Sequence, residues 1–209
     1  MYCKSEEMVK EMIKKSIIAG GGLILVIWAC MVVNINVKSE NVQYKYYGLK
    51  EDVEYKDIVF NVYDCGWIKE RELSDKYGIS LRRDLKADVA WDEFDEDKGF
   101  LIYVTWIEIE NTCDENVNLF DQLMYTTSVA SVATAVTYNA SIGIDEHGNK
   151  TDIASCAIAP QEKLKIGLIA TIYIPNLADK YVEHIDEYPL YMELEDYEGS
   201  RFIRRIKLN

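Results

Sequence analysis

The sequence predicts a mainly β fold: an antiparallel two-sheet sandwich with two short helical insertions, preceded by one N-terminal transmembrane helix. Three observations carry this. From Ser16 to Val37 no charged residue occurs. Downstream, seven or eight segments rich in β-branched and aromatic residues follow, the clearest alternating apolar and polar positions. Between them, two segments change to a helical period.

The N-terminal lead is a mixed-charge amphipathic stretch. Ser5 is placed to cap a helix with Glu6 and Glu7 in its first turn, and Met8, Val9, Met12 and Ile13 recur at helical spacing. The uncharged run Ile17–Val33 follows, extended toward Val37 by Asn34-Ile35-Asn36. About 20 apolar residues span a bilayer's hydrocarbon, so the run is read as a signal anchor. Lys14 and Lys15 stand at one edge, while Lys38 at the other is followed by Glu40. That asymmetry keeps the N-terminus cytoplasmic and exports the rest. The expected organisation is therefore a cytoplasmic lead (1–16), a transmembrane signal anchor (17–37), a juxtamembrane spacer (38–52) and an extracytoplasmic sandwich (53–209) at the cell membrane. A cleaved signal peptide fits less well, because Trp28 and Met31-Val32-Val33 continue the run without an A-x-A site. Ile27-Trp28-Ala29-Cys30 partly matches a lipobox, which makes lipidation at Cys30 the alternative anchor.

Charge narrows the partners. The chain carries −13 over 209 residues. Four lysines outweigh three glutamates in the lead, which leaves −14 from Lys38 onward. Nucleic acid is excluded by the lack of a basic footprint, and docking on an anionic lipid surface through this domain is disfavoured. Five cysteines are present, and the three beyond the anchor, Cys65, Cys113 and Cys156, lack CxxC spacing. They signal neither a zinc site nor a disulfide framework.

In chain order, Lys38–Lys50 is polar with a Tyr44, Tyr46, Tyr47 cluster that reads either as spacer or as the start of a first strand. Val53–Trp67 is strongly β. Ile68–Gly78 turns helical: Leu73 and Tyr77 are four apart, Glu72 and Lys76 can pair, and Gly78 suits a C-cap. Ile79–Val89 reads as extended and irregular, and Trp91–Gly99 as an acidic turn. Phe100–Ile109 is apolar on both faces, the mark of a central strand covered on both sides. Val117–Ser141 favours β over helix, and Ile142–Asp152 a loop or hairpin tip. Leu164–Ile174 alternates cleanly, with Ile169 the exception. Asn176 opens a second helical stretch along Leu177, Tyr181 and Ile185, stopped by Pro189. Leu190–Glu195 and Phe202–Leu208 form a C-terminal hairpin.

A strand–short helix–loop lead behind one membrane segment, the long FLIYVTWIEIENT strand and the later APQEKLKIGLIATIYIP strand together resemble the anchored immunoglobulin-like (telokin-like) domains of uncharacterised proteins from Gram-positive bacteria. The resemblance covers roughly 53–208. It implies an immunoglobulin-like surface sandwich of uncharacterised role and brings no catalytic residues with it.

The search for chemistry yields one candidate. Asp92, Asp95 and Asp97 precede Gly99, and Asp95-x-Asp97-x-Gly99 matches half of a calcium loop, in which hard cations take carboxylate oxygens on a turning backbone. The full register is absent, since position 12 counted from Asp95 is Trp106. A solvated acidic loop guarding a hydrophobic strand explains the same residues. His147 and His184 have no spaced His or Cys partner, and no G-x-S-x-G, HExxH or P-loop occurs. Asn139-Ala140-Ser141 and Asn149-Lys150-Thr151 are formal glycosylation acceptors. The expectation is thus a non-enzymatic protein-interaction or envelope-associated module without an organic cofactor, working with the membrane and another envelope or membrane protein. The alternative is a calcium- or carbohydrate-responsive surface binding domain.

Overall fold

The computed structural model describes Trp28 and residues 42–84, 99–124, 127–131, 135–174, 177–196 and 202–209. The chain divides into Met1–Asn41 and Val42–Asn209, and the fold below is that of the second unit. The expected anchor (17–37, Trp28 apart), Cys30, and the calcium candidates Asp92, Asp95 and Asp97 lie outside the described residues. Among the described residues no helix is long and apolar enough to cross a membrane.

Among the described residues there are twelve strands: β1 (Gln43–Tyr47), β2 (Val53–Tyr55), β3 (Ile58–Ile68), β4 (Phe100–Asn111), β5 (Val117–Asn118), β6 (Thr127–Ala130), β7 (Ala135–Asp145), β8 (Lys150–Thr151), β9 (Ala157–Ile158), β10 (Lys163–Tyr173), β11 (Tyr191–Asp196) and β12 (Phe202–Lys207). Ten run in the order β1-β12-β11-β6-β7-β10-β4-β3-β2, with β8 added on β7, while β5 and β9 pair separately. β7 belongs to both layers. Its first residues, Ala135–Thr137, pair with β6. Tyr138 and Gly143–Asp145 pair with β10. The four residues between are a bulge held by the Asn139 side chain, which accepts from the backbone N–H of Ser141 (3.0 Å) and Ile142 (2.9 Å). The strands thus form sheet A (β1, β12, β11, β6, start of β7) and sheet B (end of β7, β10, β4, β3, β2), face to face.

Alternation explains the layers. In β4, Tyr103, Ile107 and Ile109 point into the inter-sheet core, while Phe100, Ile102 and Val104 point to the opposite face. In β3, Ile58, Phe60 and Val62 face the core, and the register shift between Val62 and Asp64 turns Cys65 and Trp67 to the same side. Sheet A contributes Met192, Leu194, Ile206 and Leu208. Each fully buried side chain of this kind stabilises the fold by about 1.5–3 kcal/mol.

A second, smaller core lies on the outer face of sheet B. The helix α1 (Glu70–Tyr77) lays Leu73 there, joined by Ile79 and Leu81 and packed on Ile102, Val104, Ile144 and Ile169. Gly78 ends α1 at φ 67°, and its N–H donates to Ser74 O (3.0 Å) while Ile79 N–H reaches Leu73 O (3.4 Å). Gly167 is pressed under the indole of its cross-strand neighbour Trp106, where an added Cβ would lie 3.1 Å from the ring. This layer is why Phe100–Ile109 is apolar on both faces and why Ile169 breaks the alternation of β10.

Several expectations change in detail. The fold is a mainly β sandwich with few short helices, but it is not purely antiparallel, because β1 runs parallel to β12 from Gln43↔Phe202 to Tyr47↔Ile206. Of the two readings of Lys38–Lys50, the strand is realised, so the sandwich takes its first strand from within the 38–52 stretch expected as a spacer. Within the described part of the 79–89 stretch, Leu81–Asp84 forms a helical turn, α2. The second helical stretch is broken into α3 (Asp179–Val182) and a 3₁₀ turn, Ile185–Glu187. The C-terminal hairpin is formed as expected by β11 and β12.

Candidate functional site

The outward positions of sheet A form cross-strand rows. Tyr46 on β1 is level with Arg205 on β12, which is opposite Glu193 on β11, which is opposite Ser128 on β6. One row away, Tyr191 is opposite Lys207 and Ala130. Side chains on one face at this spacing interact directly. Arg205 Nε donates to Glu193 Oε1. The Arg205 guanidinium lies 4.0 Å from the Tyr44 ring centroid and 5.4 Å from that of Tyr191. Its Nη1 is 3.5 Å from the Tyr46 hydroxyl. Tyr46 meets Tyr191 edge-on, with centroids 6.1 Å apart.

The pair is therefore enclosed although it lies on an outer face. The Glu193 side chain is 13% exposed and that of Arg205 26%, whereas Tyr44 and Tyr46 are exposed at 43% and 58%. Burial works against the Arg205 charge, but the Tyr46 hydroxyl and Glu193 outweigh it and raise the guanidinium pKa. Beside the pair opens a cleft of about 380 Å³, lined by Ala130, Ser131, Pro189, Tyr191, Glu193 and Arg205, a size within the range of small-ligand sites. The cleft offers an acceptor, a donor and an aromatic surface within one patch.

Several other titratable groups among the described residues make hydrogen bonds within the fold. Inside the sandwich, Thr105 Oγ1 and Tyr138 OH are 2.7 Å apart, and Cys65 Sγ donates to Leu208 O at 3.0 Å. Burial raises the pKa of Tyr103, Tyr138 and Cys65. Cys65, Cys113 and Cys156 are free thiols. His147 lies in the exposed β7–β8 turn, where Asp145 accepts from the backbone N–H of His147 (2.9 Å) and Asn149 (2.7 Å). The Asn149 backbone, with further hydrogen bonds in the turn, holds the Asp145 carboxyl below its usual range. His184 pairs with Glu187 at 3.0 Å, after α3. Among the described residues, no group of three or more His, Cys, Asp and Glu could hold a metal ion.

Sequence reasoning noted the tyrosine cluster of β1 and missed Arg205, Glu193 and Tyr191. The signal was available in principle: placing the hairpin 190–208 in register sets Arg205 against Glu193.

No known protein family matches the sequence, and no curated protein matches it. Among solved structures, the chain is similar to an uncharacterised β-sandwich protein from Clostridium difficile 630, with 14% identity and a TM-score of 0.52 over 80% of this chain and 97% of that one. It is also similar to a functionally unknown protein from Listeria monocytogenes EGD-e, at 9% identity and TM-score 0.39 over 70% of this chain and 71% of that one. A third is a conserved hypothetical protein from Bacillus anthracis, at 14% identity and TM-score 0.35 over 78% and 95%. The first likeness is one of fold: a β-sandwich, of the kind found in an uncharacterised protein of a Gram-positive bacterium.

Proposed function

We propose that the protein is a membrane-tethered binding module that presents an acidic, immunoglobulin-like sandwich outside the cell and contacts another envelope component through the outer face of sheet A. One observation carries the choice of face: exposed Tyr44 and Tyr46 surround a half-buried Arg205–Glu193 pair beside an open cleft. Aromatic residues and arginine are the groups that most often anchor protein contacts. The tether rests on the uncharged run Ile17–Val33 and the lysines before it. In this reading the module acts by binding rather than by catalysis.

The experiment replaces Tyr46 with a photo-crosslinking amino acid in living cells. A reproducible adduct that is lost when the probe is moved to Lys165, on the outer face of sheet B, supports the reading. Equal adducts from both positions, or none, remove it. Topology is tested separately: a thiol added after Asn209 should label in intact cells stripped of their outer layers, and protection there would reverse the orientation. Lipid attachment at Cys30 is the alternative tether, and a Cys30→Ser variant that loses processing would establish it.

A second reading assigns calcium to Asp92, Asp95 and Asp97. It is favoured by Gly99, two residues after Asp97, which takes φ 64° and turns the backbone there. Calorimetry that finds no heat on adding calcium, with no shift in thermal unfolding, would dispose of it.

A further inference from the structure

We infer that the cleft beside Arg205 and Glu193 takes a neutral, polyhydroxylated ligand, a glycan. This rests on the reading of sheet A's outer face as the contact surface, and it names the ligand that face receives. The argument begins with charge. Arg205 and Glu193 are joined by a hydrogen bond and neutralise each other. An anion entering the cleft meets the Glu193 carboxylate, and a cation meets the Arg205 guanidinium. Either must also break a charge-assisted hydrogen bond that is already made. The surrounding domain, at −14 from Lys38 onward, disfavours anions further.

A hydroxyl group, by contrast, donates and accepts at once. Neighbouring hydroxyls of a sugar ring match a carboxylate and a guanidinium set side by side, without displacing either from the other. The walls complete the match. Tyr191, Pro189 and Ala130 supply apolar surface next to the polar pair, suited to the C–H face of a pyranose. Tyr46, edge-on to Tyr191, extends the aromatic wall toward β1. The cleft's volume of about 380 Å³ accommodates one sugar ring seated on the pair.

The test uses the full-length protein in micelles of a detergent without a sugar headgroup. Neutral hexasaccharides of glucose, mannose, galactose or N-acetylglucosamine are added, and saturation-transfer NMR reads contact. At least one should bind. Glu193→Gln should weaken binding by about tenfold or more, the scale of one lost hydrogen bond to a charged group, and Tyr191→Leu should weaken it severalfold by removing the aromatic wall. Glu193→Gln should also make the cleft more tolerant of a small monoanion such as a hexuronic acid, because Arg205 is then unneutralised. Circular dichroism and thermal melting confirm that each variant folds; if Glu193→Gln does not, Tyr191→Leu carries the test. The inference is overturned if the folded wild type binds none of the sugars, if both variants bind as the wild type does, or if oligolysine binds and is lost with Glu193→Gln. Failure with sugars alongside a specific protein adduct from Tyr46 removes the ligand class and leaves the contact face standing. Failure of both removes both.

Discussion

The two sheets turn different outer faces to their surroundings. On sheet B, α1 and the residues after it cover one half with a second apolar core around Leu73, Ile79 and Leu81. The other half is closed by a ladder of cross-strand ion pairs, Lys163–Glu110 at 2.9 Å and Lys165–Glu108 at 3.0 Å. Among the described residues, these contacts finish the surface within the chain. On sheet A the outward rows carry exposed tyrosines around one enclosed ion pair. Aromatic rings left partly in water give up burial that a partner could recover. One sandwich thus covers one outer face from within the chain and leaves aromatic surface on the other.

Substitutions can break or sharpen that contrast. The largest effect is expected on sheet B: Leu73→Ala empties a fully buried site and should cost about 2–5 kcal/mol in urea unfolding. A loss under about 1 kcal/mol would mean that α1 merely rests on the sheet. On sheet A, Arg205→Ala leaves Glu193 enclosed without its partner and releases Tyr44 and Tyr46. A cost of about 2 kcal/mol is expected, with faster amide exchange through Gln43–Tyr47. Unchanged exchange there would show that β1 is held by its backbone pairing alone.

The interior shared by both sheets gives a third, smaller effect that depends on pH. Burial raises the pKa of Cys65 from an ordinary 9.0 and of Tyr103 and Tyr138 from 10.0. These groups therefore ionise first in the unfolded chain. Their contribution to stability is intact below pH 9 and falls as pH rises from there. Tyr138→Phe should flatten the decline above pH 10, while costing about 1–2 kcal/mol at neutral pH because the buried Thr105 hydroxyl loses its partner. Denaturant titrations across this range read both effects. The smallest effect belongs to the ladder: Lys165→Ala, in a pair exposed at 47% and 29%, should cost under about 1 kcal/mol and vanish in high salt. A larger loss would make the ladder as important as α1.

What could be read from the sequence was local. Gly78 announced the end of α1 because a left-handed residue is needed there, and the alternation of Leu164–Ile174 announced a half-buried strand. The two apolar faces of Phe100–Ile109 placed β4 at the centre, between β3 and β10. Pairings distant in sequence stayed hidden. Nothing in Gln43–Tyr47 says that its partner is Phe202–Ile206, or that the two run parallel. The candidate site shares that fate, since Tyr44 and Tyr46 meet Arg205 only after every intervening strand is placed. Had the hairpin 190–208 been set in register, Glu193 and Arg205 would have appeared as a pair, but not the tyrosines that enclose them. The crossing of β7 between sheets hinges on Asn139, a residue that in sequence signals only a glycosylation acceptor or a turn.

The parallel pairing of β1 with β12 has a mechanical consequence. In two parallel neighbours, the leading end of one strand and the trailing end of the other lie at opposite ends of the pair. Tension applied between Gln43 and Lys207 therefore runs along the strands and loads all their rungs together. An antiparallel partner would have put the same two ends side by side, where a pull opens the rungs one after another. The first strand is thus attached as a lap joint rather than a zipper, with Arg205 as a cross-pin between its tyrosines and the rest of the sheet.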